Sequence, residues 1–190
     1  MQKNKRTLYV IGGKARVGKD EAAQRLRELR LVGVIISTDS LRSGEADPDI
    51  AAWSRCLDII RSMENIEFDC GIAVAGIAAT PERVHELERT LKSFIVKAMF
   101  IGYGNESYVD AILEHAENHK ETDYIYWEEI RRKNAGEKTH REAMPGEVAG
   151  CEDLKRRSEK YGYEYYGAIK QRTIEEHIGI VIDKLFKNPA

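Results

Sequence analysis

The segment Gly13-Lys14-Ala15-Arg16-Val17-Gly18-Lys19 constrains the fold of this chain more than any other part of its sequence. Its two glycines and its lysine have the G-x-x-x-x-G-K spacing, and the apolar run Thr7 to Ile11 comes just before them. From Gly18 to Arg30, apolar side chains recur at helical spacing. A strand, a glycine-rich turn and a helix in this order predict a loop whose backbone N–H groups surround a phosphate group.

This predicted loop assigns roles to its residues. In the G-x-x-x-x-G-K pattern of P-loops the lysine reaches the β- and γ-phosphates, so Lys19 is predicted to be catalytic and Gly13 to Asp20 to bind the nucleotide. Asp20 stands where a Ser or Thr hydroxyl usually binds Mg²⁺. A carboxylate holds Mg²⁺ directly or through water, and Asp20 is therefore the predicted metal ligand. The expected cofactors are ATP and Mg²⁺.

The rest of the chain alternates short apolar runs with helical patterns, which is typical of a parallel sheet covered on both faces by helices. Its 190 residues fit a single domain, 1–190. We predict an α/β fold, a three-layer P-loop NTPase of the kinase type with about five parallel strands and a helical lid. The further strands are predicted at Val34 to Ser37, Phe68 to Ala75, Phe94 to Ile101 and Tyr163 to Tyr166, and the further helices at 51–63, 82–91, 105–118 and 173–186.

A second candidate site follows the second predicted strand, in the run Ile36-Ser37-Thr38-Asp39-Ser40-Leu41-Arg42. Ligands of open α/β sheets bind at the carboxyl ends of the strands, where this run lies. The Asp39 carboxylate is suited to accept the proton of an attacking hydroxyl, and the Arg42 guanidinium to hold an anionic group with two hydrogen bonds. The alternative is that Asp39 or Ser37 only caps a helix and that Arg42 is solvated.

Two of these segments resemble known families. The string Gly-Lys-Ala-Arg-Val-Gly-Lys-Asp is similar to the P-loop of phage-type deoxynucleoside monophosphate kinases, and Ile-Ser-Thr-Asp-Ser-Leu-Arg to the I-S-T-D-x-x-R segment of small P-loop kinases like 2-phosphoglycerate kinase. The resemblance covers about the first 45 residues. It implies a five-stranded parallel sheet with a lid, and substrate-side roles for Asp39 and Arg42. The sequence departs from these families at Glu21, where a Thr is usual, and at Ala75, where an acidic residue often precedes the glycine.

The highly charged region 122–157 is predicted to be a helical lid, interrupted at Gly136, Pro145 and Gly146. A closing lid brings cationic side chains to the transferring phosphoryl group and excludes water. Arg131 and Arg132 are the candidates for this role, and a solvated helix face is the alternative.

Composition excludes several classes of protein. The formal net charge of -2 argues against a partner that is a nucleic acid polymer, and no apolar stretch approaches the roughly 18 residues that span a bilayer. Three cysteines without paired spacing suggest a reduced, cytoplasmic setting. The expected partner is a small anionic acceptor, and the sequence leaves the oligomeric state open.

Two functions remain. The first is an ATP-dependent phosphotransferase that moves the γ-phosphoryl group to a small anionic acceptor, either a phosphorylated metabolite such as 2-phosphoglycerate or a nucleoside monophosphate. The second is a P-loop protein that binds nucleotide and regulates without efficient transfer, and the departures at Asp20, Glu21 and Ala75 motivate it.

Overall fold

The computed structural model describes residues 5–44, 46–66, 69–118 and 140–187. Five strands form one parallel sheet, in the order β2-β3-β1-β4-β5. The first strand therefore lies in the middle of the sheet, and the loop after it opens at the centre of the sheet's carboxyl edge. The strands are β1 (Arg6–Gly13), β2 (Val32–Ser37), β3 (Gly71–Ala75), β4 (Phe94–Tyr103) and β5 (Glu164–Ala168).

Six α-helices connect and cover the strands in the described residues. They are α1 (Lys19–Glu28), α2 (Pro48–Ser62), α3 (Pro81–Thr90), α4 (Glu106–Asn118), α5 (His140–Lys160) and α6 (Ile174–Lys187). A short 3-10 turn, Asp39–Leu41, follows β2.

Alternation of side chains along β1 divides the core between the two faces of the sheet. Leu8 and Val10 face a layer that includes apolar side chains of α2 and α3, with Leu154 of α5 packed against it. Tyr9 and Ile11 face the opposite layer, which contains apolar side chains of α1, α4 and α6. Because both faces are covered, β3 is apolar and buried along its whole length, as expected for parallel sheets. The three-layer α/β architecture predicted from the sequence is confirmed.

Polar side chains fix where several helices begin. The Thr80 hydroxyl caps α3, since it accepts a hydrogen bond from the Arg83 N–H at 3.4 Å. Asn105 caps α4, since its side-chain oxygen accepts from the Tyr108 N–H at 2.9 Å. Before α6, Thr173 and Glu176 exchange side-chain-to-backbone hydrogen bonds in a capping box.

Two sequence predictions are wrong in detail. The third strand begins at Gly71, three residues after the predicted Phe68, and Phe68 itself lies outside the described residues. The predicted interruption at Pro145 and Gly146 does not occur, because α5 is continuous from His140 to Lys160. A proline there removes a single hydrogen bond close to the helix N-terminus. Most of α5 follows it, and that part packs against the sheet.

None of the helices in the described residues is long and apolar enough to cross a membrane. Cys56, Cys70 and Cys151 are all free thiols.

Candidate functional site

The loop between β1 and α1 has the backbone conformation of an anion-binding cradle. Three of its residues have positive φ values: Gly13 at 125°, Arg16 at 56° and Gly18 at 80°. Gly18 precedes α1, and no side chain caps this helix. The N–H groups of its first turn are therefore available to a ligand, and the helix dipole favours a negative one.

Close backbone packing explains why Gly13 is a glycine. A Cβ at this position would lie 2.0 Å from the carbonyl oxygen of Ile101 on β4. The next residue uses the same carbonyl, since the Lys14 N–H donates to it at 2.9 Å. The start of the loop is thereby fixed against the neighbouring strand.

Lys19 is the buried cation of the cradle. Its side chain is almost inaccessible to solvent, and its Nζ donates a hydrogen bond to the carbonyl of Lys14 inside the loop. Burial lowers the pKa of this ammonium group, and the neighbouring carboxylates of Asp39 and Asp20 oppose the shift. A phosphate oxygen in the cradle would offer Nζ a stronger, charged acceptor than the carbonyl.

Asp20 and Glu21 lie in the first turn of α1 and are exposed. Both side chains line the same cavity as Lys19. The described residues contain no group of three or more His, Cys, Asp or Glu side chains arranged to hold a metal ion alone. Mg²⁺ at phosphate sites takes most of its ligands from the phosphates and water, so one or two carboxylates fit it.

The end of β2 is held against the end of β3. The Thr38 N–H donates to the Ala75 carbonyl at 2.7 Å, and the Asp39 Oδ1 accepts from the Ile77 N–H at 3.0 Å. Between them lies Gly76, with a φ of 137°, where a Cβ would be 2.0 Å from the Thr38 hydroxyl oxygen. The Asp39 carboxylate thus lies beside the end of β3, where the sequence has no acidic residue of its own.

Arg42 is not solvated but paired. Its Nε donates to Oδ1 of Asp49 at 2.7 Å, and its Nη2 contacts the same oxygen. Arg42 follows the 3-10 turn in an extended conformation, so one tight turn separates it from Asp39. Asp49 was missed in the sequence because nothing in its local pattern separates a partner of Arg42 from an ordinary acidic residue in the first turn of a helix.

Arg83 was also missed. From α3 its Nη1 donates to the carbonyls of Ala78 at 2.8 Å and of Asp49 at 3.2 Å. It therefore links the loop after β3 to the start of α2. By binding the backbone of Asp49, it also holds in place the residue that pairs with Arg42. A surface arginine has no sequence signal that distinguishes this role.

Helix α5 reaches the cradle from the other side. Glu147 accepts a hydrogen bond from the Lys14 ammonium at 2.7 Å. The hydroxyl of Tyr103, at the end of β4, donates to the Ala15 carbonyl at 3.0 Å. The P-loop is thus contacted by α5, most of which lies within the segment 122–157 that the sequence predicts to be a lid.

A cavity of about 950 Å³ is lined both by the loop and by the end of β2. Its floor is the loop Ala15 to Glu21, and one wall contains Asp39, Arg42 and Ile77. The other wall is formed by α4 and by the chain from Lys170 to His177. Four of the residues singled out in the sequence, Lys19, Asp20, Asp39 and Arg42, therefore line the same cavity. Arg131 and Arg132 lie outside the described residues, as does residue range 119–139 as a whole.

A second cavity, of about 940 Å³, lies between α1 and α6. It is lined by side chains such as Gln24, Arg25 and Ile182, and the glycine loop does not contribute to it. The chemistry-bearing groups converge on the first cavity, which we take as the candidate site.

Solved structures with similar folds support the architecture. Shikimate kinase from Bacteroides thetaiotaomicron aligns over 95% of this chain and 98% of its own, with a TM-score of 0.53 and 15% sequence identity. The protein APE1195 aligns over 96% of both chains, with a TM-score of 0.53 and 13% identity. An uncharacterized protein from Eubacterium ventriosum ATCC 27560 aligns over 96% of this chain and 100% of its own, with a TM-score of 0.51 and 14% identity.

No protein-family model matches the chain, and no curated protein matches its sequence. The similarity to these solved structures concerns the fold alone, a parallel sheet of five strands covered by helices.

Proposed function

We propose that this protein is a phosphotransferase that moves the γ-phosphoryl group of a nucleoside triphosphate, with ATP as the expected donor, to a small anionic acceptor. The observation that carries the proposal is the shared cavity, in which a buried P-loop lysine faces Asp39 and Arg42 at the ends of β2 and β3. Phosphoryl transfer depends mainly on positioning and on cationic stabilisation of the spread charge, and this cavity offers both.

On the donor side, the residues Gly13 to Asp20 hold the phosphates. The first N–H groups of α1 and the Lys19 ammonium are the donors, and Lys19 exchanges the Lys14 carbonyl for a phosphate oxygen. Asp20 is the proposed protein ligand of Mg²⁺. Burial lowers the pKa of Lys19, and Asp39 lies close enough to oppose this lowering. Bound Mg²⁺ neutralises charge on the β- and γ-phosphates.

On the acceptor side, Asp39 is fixed through one oxygen by the Ile77 N–H, which leaves the second oxygen to orient an acceptor hydroxyl and take its proton. Arg42 is held by Asp49 through Nε and Nη2, so its Nη1 edge remains for the anionic group of the acceptor. A phosphorylated metabolite and a nucleoside monophosphate both satisfy this arginine. Arg131 and Arg132 are proposed to approach the phosphoryl group from the lid.

The alternative is a nucleotide-binding regulator, and three observations favour it. Asp20 and Glu21 provide no hydroxyl for the metal, and Ala75 provides no carboxylate at the end of β3. The position of Asp39 beside Gly76 supports the phosphotransferase, because its carboxylate takes the place that the missing acidic residue would occupy.

ADP release from ATP and Mg²⁺, measured across phosphoglycerates, other phosphorylated metabolites and nucleoside monophosphates, tests the proposal. We expect stimulation by one acceptor, and its loss in Lys19→Ala. If no acceptor stimulates turnover while ATP still binds, the regulator is the better proposal. Asp20→Ser adds a second criterion: it restores magnesium-dependent binding in a regulator and changes the rate only modestly in an active kinase.

A further inference from the structure

The wall of the cavity beyond the P-loop, away from Asp39 and Arg42, carries a polar system that the proposed reaction does not use. The P-loop follows β1, at the centre of the sheet, with β3 and β2 on one side and β4 and β5 on the other. If the γ-phosphate points toward the ends of β2 and β3, the base of the nucleotide lies toward the end of β5. There the cavity is lined by Lys170, Arg172 and His177.

Arg172 and His177 belong, together with Tyr166, to a directed chain of hydrogen bonds. His177 Nε2 lies 3.0 Å from the Ile169 carbonyl, which can only accept, so Nε2 carries the proton. Nδ1 is then an acceptor, and the Tyr166 hydroxyl donates to it at 2.6 Å. The same hydroxyl accepts from Arg172 Nη1 at 3.0 Å. The direction of every bond in the chain follows from the carbonyl at its end.

This chain orients the guanidinium of Arg172. Tyr166 and His177 are 7% and 3% exposed, whereas Arg172 is exposed at the cavity wall. The guanidinium also lies above the Tyr166 ring, 5.9 Å from its centre. A buried tyrosine–histidine pair is costly unless it is fully bonded, and here it is, so one edge of Arg172 is fixed and the other edges face the cavity.

The charged side chains that line this wall are hydrogen-bond donors. The Ala168 carbonyl is occupied by the Gly104 N–H at 2.7 Å, and the Ile169 carbonyl by His177 and by the Arg172 N–H at 3.3 Å. The charged side chains that remain are Lys170 and Arg172, which have no acceptor atoms. The O6 and N7 atoms of a 6-oxopurine accept hydrogen bonds from such groups, while the N6 amino group of adenine is itself a donor.

We propose that Arg172, positioned by Tyr166 and His177, reads the base of the donor nucleotide and, with Lys170, gives guanine and hypoxanthine nucleotides tighter binding than ATP. The inference rests on the proposed function, because it requires a triphosphate in the P-loop. ATP then remains a phosphoryl donor but binds the site with lower affinity. Arg172 is a specificity-determining residue, and Tyr166 and His177 are positioning residues.

Titration calorimetry with GTP, ITP, ATP and inorganic tripolyphosphate tests the inference on the full chain. We expect GTP and ITP to bind about equally, and each about tenfold more tightly than ATP. ITP lacks the 2-amino group of GTP, so its equality with GTP assigns the preference to O6 and N7. Tripolyphosphate reports the P-loop without a base.

Arg172→Gln is the decisive variant, because glutamine offers one donor and one acceptor, the pattern that suits the N6 and N7 atoms of adenine. We expect it to bring ATP binding level with GTP binding or above it, with tripolyphosphate binding unchanged. Arg156→Gln, at an 81% exposed side chain of α5, is the matched control and should keep the preference. Tyr166→Phe removes the hydroxyl that holds Arg172 and should reduce the discrimination without changing tripolyphosphate binding.

The possible outcomes separate the two proposals. Wild-type binding of ATP as tight as that of GTP, or an unchanged preference in Arg172→Gln, overturns the base assignment and leaves the phosphotransferase intact. Failure of tripolyphosphate and all three nucleotides to bind overturns the proposed function itself. If Tyr166→Phe unfolds, the exposed Arg172→Gln variant still decides the question.

Discussion

The two halves of the candidate site are built from different material. The phosphate end is made of backbone: positive φ values at Gly13, Arg16 and Gly18, and the open first turn of α1. The acceptor end is made of side chains, with Asp39 bound to a backbone N–H and Arg42 paired with Asp49. A binding site made of backbone groups tolerates substitution of most side chains but not of its glycines. A site made of side chains is weakened separately by the loss of each ion pair. The predictions below test this difference.

The largest effect is expected from Gly13→Ala at the phosphate end. The new Cβ would lie 2.0 Å from the Ile101 carbonyl oxygen and 2.7 Å from its backbone N, and the φ of 125° is unfavourable for alanine. Backbone neighbours cannot move aside as a side chain can, so we expect a loss of about 3 kcal/mol or more in unfolding free energy.

Urea denaturation checks this, with Gly179→Ala as the matched control. Gly179 lies in α6 with open space around it, so the same substitution there should stabilise the protein by about 0.5–1 kcal/mol. Equal effects of the two substitutions would mean that the cradle is not as rigid as its geometry requires.

Lys19→Met separates binding from folding at the same end. The ammonium group is buried and its pKa is lowered by burial, so replacing it with an uncharged side chain of similar length removes a desolvation cost. The substitution also removes the hydrogen bond to the Lys14 carbonyl, and these two effects on stability oppose each other. We therefore expect the unfolding free energy to change by less than about 1 kcal/mol. The binding free energy of tripolyphosphate, measured by calorimetry, should weaken by about 2–4 kcal/mol, since a charged partner of the phosphates is lost.

Much of this comparison could be predicted from the sequence, because P-loop function depends on local spacing. Gly13, Gly18 and Lys19 are neighbours in the chain, and the strand and helix around them set their geometry. The pairing of Asp39 with the N–H after Gly76 joins residues 38 positions apart, and it depends on the strand order, which no local pattern encodes. The same holds for the Arg42–Asp49 pair, for Lys14–Glu147, and for the chain from Arg172 to His177.

Thr38→Val, at the acceptor end, is expected to stabilise the protein. The Thr38 hydroxyl is fully buried and has no hydrogen-bond partner within the described part of the chain. Valine has nearly the same shape without the polar atom, so we expect a gain of about 1 kcal/mol in unfolding free energy. A thermal melt measures it. A loss of stability would indicate that the hydroxyl is bonded, for example to a water molecule that valine expels.

The smallest effect concerns the ion pair that anchors α3, the helix after the β3 loop, to α5. Arg157 donates through Nε to Glu82 at 2.8 Å, and this hydrogen bond lowers the pKa of the Glu82 carboxyl to about 2. Because the folded-state pKa lies below the unfolded value of about 4.3, the stabilisation is complete above the unfolded pKa and is lost as the pH falls toward 2. Both side chains are more than a third exposed, so the pair contributes below about 1 kcal/mol.

We expect Glu82→Gln to reduce stability slightly at pH 7 and to have no effect near pH 2, measured by urea denaturation at both values. If the variant and the wild type instead differ equally at both pH values, the side chain acts through packing and not through its charge.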